Sequence, residues 1–252
     1  MTVTLAALPF DVFIAFAVFA RIGAFFMTAP AFGDFSLPAP FRLAAALGVS
    51  GALVTVTAPL FPTWTAPTMT GIIAIEIFAG VFLGLTARAM MSALNVAGQI
   101  IAFQMGLSLA QIFDPTQDIQ GAIVGGFLAI LGTTLIFVTD LHHMLLLALH
   151  ESYLIITPGA VPAFGDMANF MVDTLSSAFL LGARLAAPFI LFGFVFYVGA
   201  GVLNRLMPQA QVFFMLLPAN LAFGILLLML TTGIIMNAFF EEFEQFLGLL
   251  VG

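Results

Sequence analysis

Apolar residues run along this chain in stretches longer and more uniform than one buried face of a soluble helix requires. Phe10 to Met27 and about Leu43 to Leu60 are each long enough to cross ~30 Å of hydrocarbon. Between them lies TAPAFGDFSLPAPFR, a loop punctuated by Pro30, Gly33, Pro38 and Pro40 and closed by Arg42. A second proline-rich connection, Pro62 to Pro67, precedes an apolar run from Gly71 to about Ile112. At ~1.5 Å per residue that run would measure roughly 60 Å as one helix, twice what one crossing uses. Either it bends into a hairpin near Arg88 to Asn95, or one long helix leaves the membrane inside a larger assembly. Two more overlong runs follow, Gly121 to Thr157 interrupted at Asp140 to His143, and Met171 to Leu203 interrupted near Arg184 and Pro188. A span from about Val212 to Met236 completes about six hydrophobic spans. The pattern predicts an all-α integral membrane protein, its spans arranged as helical hairpins in a single membrane-embedded domain, 1–252.

Composition agrees. The chain is 63% hydrophobic and 7% charged, with a mean hydropathy of +1.22, whereas a soluble domain carries about 25% charged residues. Five arginines, no lysine and twelve acids give a net charge of -7, which argues against nucleic acid as a partner. The absence of cysteine removes disulfides, thiolate metal sites and cysteine nucleophiles together.

One stretch departs from the apolar pattern. Asn95, Gln99, Gln104, Ser108 and Gln111 place amides and a hydroxyl where lipid would demand hydrocarbon. At 3.6 residues per turn, Asn95, Gly98 and Gln99 share one face and Gln104, Ser108 and Gln111 lie roughly opposite. From Gly106 small and large residues alternate (Gly106, Ser108, Ala110 against Leu107, Leu109), and Asp114-Pro115 breaks any helix that precedes it. Irregular polar backbone at membrane depth is tolerated only inside protein or along a water-filled cavity. Two readings stay open: a pore-lining or pore-closing segment, and a helix pair whose amides bond across a packed interface.

Ionisable groups within apolar spans are functional suspects. Arg21, Arg88 and Arg184 each cost about 2.5 to 3.5 kcal/mol at mid-bilayer if uncompensated, so ion pairs with acids such as Asp34, Glu76, Asp114 and Asp118 are expected. Asp140, His142, His143, His150 and Glu151 form the most enzyme-like cluster, yet the H-E-x-x-H spacing is absent. His143 and His150, seven apart, share a face without a third ligand, so no metal or cofactor is expected. In the tail, 238–252, Phe239, Phe243, Phe246 and Leu250 oppose Glu241, Glu242 and Gln245. That amphipathic helix suits docking to a protein partner or packing at the end of the bundle.

Three motifs in order resemble the FliR family of type III export-gate subunits. They are Arg21-Ile-Gly23 through Pro30-Ala-Phe32-Gly33 to Arg42, Gly98-Gln99 through Gln104-Met-Gly106-Leu-Ser108 to Asp114-Pro115, and Asn204-Arg205-Leu-Met-Pro208-Gln209-Ala-Gln211 followed by Pro218 and Gly224. Gln211 departs from the family's asparagine, and the stretch beyond Pro218 lacks its basic residue. The resemblance implies a non-enzymatic, pore-forming subunit, single-copy in a helical gate with two smaller export-gate membrane proteins and an export switch protein. That gate sits in the bacterial inner membrane at the centre of the flagellar basal body and passes unfolded rod, hook and filament subunits. The family's plug loop maps onto 106–120, comprising Gly106, Leu107, Ser108, Leu109, Ala110, Gln111, Asp114 and Pro115. Asn95, Gln99, Gln104, Arg205, Pro208 and Gln209 would line the pore or pack subunits. The rival class is a self-contained transporter using Arg88, Asp114 and Arg184; an intramembrane enzyme built on the histidine cluster is a distant third.

Overall fold

The computed structural model describes residues 10–33, 38–63, 65–107, 119–208 and 212–251, and all regular structure among them is helical. The helices are α1 (Phe10–Thr28), α2 (Ala39–Thr57, followed by the short 3-10 turn Ala58–Leu60), α3 (Ala66–Gln104), α4 (Ile119–Val138), α5 (Leu141–Ile155), α6 (Phe164–Leu185), α7 (Ala187–Leu206) and α8 (Val212–Val251). Among the described residues, four helical stretches are long and apolar enough to cross a bilayer: Ala39–Leu60, Pro67–Gln104, Ala187–Leu206 and Met215–Val251. With the bent pair α4–α5 and the shorter apolar helix Val12–Thr28 they complete the apolar units expected from hydropathy.

The overlong runs resolve in two ways. α3 is one uninterrupted helix of 39 residues, so of the two alternatives for this run the hairpin near Arg88 to Asn95 does not form and the long helix does. The intervening residues, Ala89, Met90, Met91, Ser92, Ala93 and Leu94, contain no proline or glycine, and alanine, methionine and leucine favour helix continuation. The helix also stops earlier than Ile112, at Gln104. The run from Gly121 instead breaks after Thr139, where α4 and α5 meet at 79°. Asp140 takes up the turn in the left-handed region at φ 60°, which aspartate tolerates better than most residues. α6 and α7 part at Ala186, with Pro188 in the first turn of α7, where its missing N–H leaves nothing unsatisfied.

α8 runs for 40 residues, so the C-terminal tail continues the last span. Phe239, Phe243, Phe246 and Leu250 are buried while Glu241, Glu244 and Gln245 are exposed. The apolar face of the tail thus packs within this chain, the second of the two uses open to it from the sequence.

The chain divides into two compact units, Met1–Met90 with Thr133–Thr174 and Glu244–Gly252, and Met91–Gly132 with Leu175–Phe243. In the first, α1 buries Phe13, Ile14, Ala17, Val18, Arg21, Ile22 and Phe25, a stripe at three- and four-residue spacing. α3 crosses α1 closely through Gly80 and Gly84, four residues apart. A Cβ on Gly80 would collide with the Arg21 carbonyl, and one on Gly84 with the Thr28 hydroxyl. Small residues at this spacing let two helix backbones approach. In the second unit, α3 meets α4 where Gly98 lies against the Gly125 backbone. It meets α6 where a Cβ on Gly182 would lie 2.7 Å from Val96 Cβ and 2.8 Å from the Ala93 carbonyl oxygen.

Candidate functional site

The end of α3 carries the segment singled out by its polar residues. At that end the N–H of Leu107 donates to the Ala102 carbonyl (3.0 Å) and the N–H of Gly106 to the Phe103 carbonyl (3.1 Å). Gly106 itself is left-handed at φ 78°. This is the Schellman arrangement, in which a glycine just past the helix satisfies carbonyls that would otherwise be orphaned. Gly106 therefore has a positional reason that side-chain alternation does not supply: its φ is one that L side chains rarely adopt.

The rest of the second unit seats this helix end. Asn220 on α8 is buried, and its Nδ2 donates to the Gln104 carbonyl at 3.1 Å, which satisfies one of the last carbonyls of α3. The Gln104 side chain lies over Gly193 of α7, where a Cβ would collide with its Oε1. Met105 packs over Gly224 of α8, whose Cβ would come within 2.5 Å of its Cγ. Two glycines and one amide thus form the notch that holds the start of the loop. Gly106 is buried and Leu107 half-buried, while Ser108, Leu109, Ala110, Gln111, Asp114 and Pro115 lie outside the described residues.

Asn95 and Gln99 lie exposed on α3, on either side of the buried Gly98, and Gln104 is half-buried. Arg205 and Pro208, at and just past the end of α7, are exposed; Gln209 lies outside the described residues.

The three intramembrane arginines have different surroundings. Arg21 is fully buried in the first unit with Glu76, both side chains 0% exposed. Its Nε donates to Glu76 Oε2 at 2.7 Å and its Nη2 to Oε1 at 2.9 Å, a bidentate pair. Nη2 also donates to the Ile156 carbonyl (2.7 Å) and Nη1 to Ser152 Oγ (3.1 Å). The guanidinium carbon stands 4.0 Å from the centre of the Tyr153 ring. Ser152 in turn donates to the Leu149 carbonyl at 2.6 Å. One side chain thereby joins α1, α3 and the C-terminal end of α5, where a cation also meets the negative end of the helix dipole. Arg88 donates to the Gly33 carbonyl at 3.3 Å. Arg184 reaches Glu242 at 3.8 Å, with both side chains well exposed.

Sequence reasoning named Arg21 and Glu76 but had no means of finding Ser152, Tyr153 or the Ile156 carbonyl. One signal was available: Glu76, Gly80 and Gly84 recur every four residues, so a close-packing face carries the acid one turn below its glycines. Asn220 was also missed, because an amide in a run of leucines shows no partner until α3 is brought against it.

The histidine cluster is rearranged relative to its sequence reading. His143 and His150 lie two turns apart on α5, about 10 Å along its axis. Asp140, His142 and His143 each bring a ligand atom within 4.8 Å of the others.

The family model for bacterial export proteins, family 1, matches residues 12–246. The flagellar biosynthetic protein FliR of Caulobacter vibrioides is 35% identical over 249 residues, covering 96% of this chain and 98% of that protein. The protein of the same name from Bacillus subtilis is 32% identical over 231 residues, covering 89% and 88%. That of Aquifex aeolicus is 28% identical over 232 residues, covering 90% and 88%.

Proposed function

Because the chain belongs to the bacterial export proteins, family 1, we propose that it is a subunit of the flagellar protein-export apparatus that forms part of the export pore. It is a membrane protein by its helices, and its place is the bacterial inner membrane at the centre of the basal body. The observation that carries the reading is the match to FliR proteins over nearly the whole of both chains.

In this reading the chain is a single copy in a hetero-oligomer with the two smaller export-gate membrane proteins, and it meets the export switch protein. The exposed apolar side chains of α2, α7 and α8, among them Phe41, Leu47, Phe194, Val198, Met229 and Ile234, support such neighbours. The loop 106–120 plugs the pore at rest and is displaced by an unfolded rod, hook or filament subunit. The Gly106 turn, seated by Asn220, Gly193 and Gly224, supports the plug by giving the segment that follows it a fixed base. A closed rest state is required, since an open conduit would dissipate about 2.3 kcal/mol per unit charge for each 100 mV of membrane potential. The role is non-catalytic.

Two measurements test this. Co-expressed with its neighbouring membrane proteins and extracted in detergent, the chain is expected in one copy within a large defined hetero-oligomer; a stable monomer indifferent to those neighbours would remove the assembly reading. Shortening Gly106 to Gln111 is expected to leave assembly intact and make cells leaky to ions. Normal assembly with unchanged conductance would remove the plug.

A further inference from the structure

The corner between α4 and α5 holds a group of donors that the export role does not use. We propose that Asp140, His142 and His143 form a divalent transition-metal site, with two imidazoles and one carboxylate as ligands and water completing the shell. The three ligand atoms lie within 4.8 Å of one another. His143 Nδ1 and Asp140 Oδ1 are 3.6 Å apart. That is too long for a hydrogen bond, yet close to the edge of about 3.4 Å that tetrahedral geometry requires for bonds of 2.0 to 2.1 Å.

His142 adds a second observation. Its ring packs 4.1 Å from that of His143, centre to centre, and 5.4 Å from Phe137, and its Nδ1 is buried with no hydrogen-bond partner. An imidazole held by packing with a polar atom unsatisfied is already oriented. Asp140 and His143 are open to solvent, at 77% and 68% exposure, so an ion has an approach. The left-handed turn at Asp140 brings the third ligand next to its two histidines. This donor set of nitrogen and hard oxygen suits Zn(II), Ni(II) or Cu(II) rather than Ca(II) or Mg(II). All three residues lie at the N-terminal end of α5, where the helix dipole opposes a cation. The Asp140 carboxylate offsets that, so its charge is indispensable.

The test is titration of the detergent-solubilised full chain, stripped with a chelator, with Zn(II) alone, followed by competition against a chromophoric chelator. One site per chain is expected. Co(II) in its place should give the intense visible bands of a tetrahedral nitrogen and oxygen site. His143→Ala and His142→Gln should each weaken Zn(II) binding at least tenfold. Asp140→Asn, which keeps the residue's tolerance of the left-handed turn, should do the same, while His150→Gln should leave it unchanged. Helical circular dichroism equal to that of the unaltered chain establishes that each variant is folded. No stoichiometric Zn(II) binding, or binding that survives the His143→Ala and Asp140→Asn changes, would overturn the site.

Discussion

Replacing Arg21 by methionine removes the cation buried beside Glu76 in the first unit while leaving an unbranched apolar stem in its place. Glu76 then loses both charge-assisted hydrogen bonds, the Ile156 carbonyl loses a donor, and the Tyr153 ring loses its cation. Both members of the pair are 0% exposed, so water does not replace what is lost. Breaking a buried pair from one side costs about 3 to 5 kcal/mol. For a chain of this size each kcal/mol moves the melting temperature by about 2 to 4 °C, so a fall of about 10 °C is expected. The assay is heating of the detergent-solubilised protein followed by the monodisperse fraction on size exclusion. Arg21→Lys keeps the charge but lacks the planar fork, and should fall between. The double variant Arg21→Met with Glu76→Leu separates the pair's own contribution from the cost of a stranded charge. Apolar replacement of a whole buried pair is often neutral, so the double change should recover most of the loss and show a coupling well above 1 kcal/mol. Arg21→Met melting within 2 to 3 °C of the unaltered protein, or a double variant as unstable as the two single losses added, would refute it.

Gly98→Val places a side chain where a Cβ alone already meets the Gly125 backbone. The expected cost is at least about 2 kcal/mol in the same melting assay, whereas Gly193→Ala meets the Gln104 side chain, most closely at its flexible amide end, and should cost less. Gly106→Ala forces a Cβ into a left-handed turn at about 1 to 2 kcal/mol. Hydrogen exchange should show the amides of 104–107 losing protection while mid-helix amides of α3 keep theirs. Arg184→Ala removes a 3.8 Å pair whose partners are 63% and 45% exposed. It should shift stability by less than about 1 kcal/mol, and a larger loss would show that Arg184 makes a stronger contact than that pair.

Hydropathy alone determined that the chain is an all-helical membrane protein and where its apolar runs lie, because every such run must bury its backbone polar groups in its own hydrogen bonds. The breaks at Asp140 and before Pro188 were legible for the same local reason, since proline and a left-handed aspartate act on their immediate neighbours. The continuity of α3 and α8 was less legible, because a run twice the bilayer thickness satisfies hydropathy equally as a hairpin or as one helix. Ala89 to Leu94 hold no breaker and favour the single helix in α3, but such a preference is weak until packing partners support it. The sites show the same division. Arg21 was visible as a charge in an apolar run, but its fork points at Glu76, Ser152 and the Ile156 carbonyl, 55, 131 and 135 residues away. Asp140 and the two histidines were adjacent in the sequence, yet whether three neighbours converge on one point depends on a single backbone angle at the corner. Pattern follows from each residue's own preference for lipid or water. Convergence follows from which distant helices pack together, and that is a property of the tertiary structure.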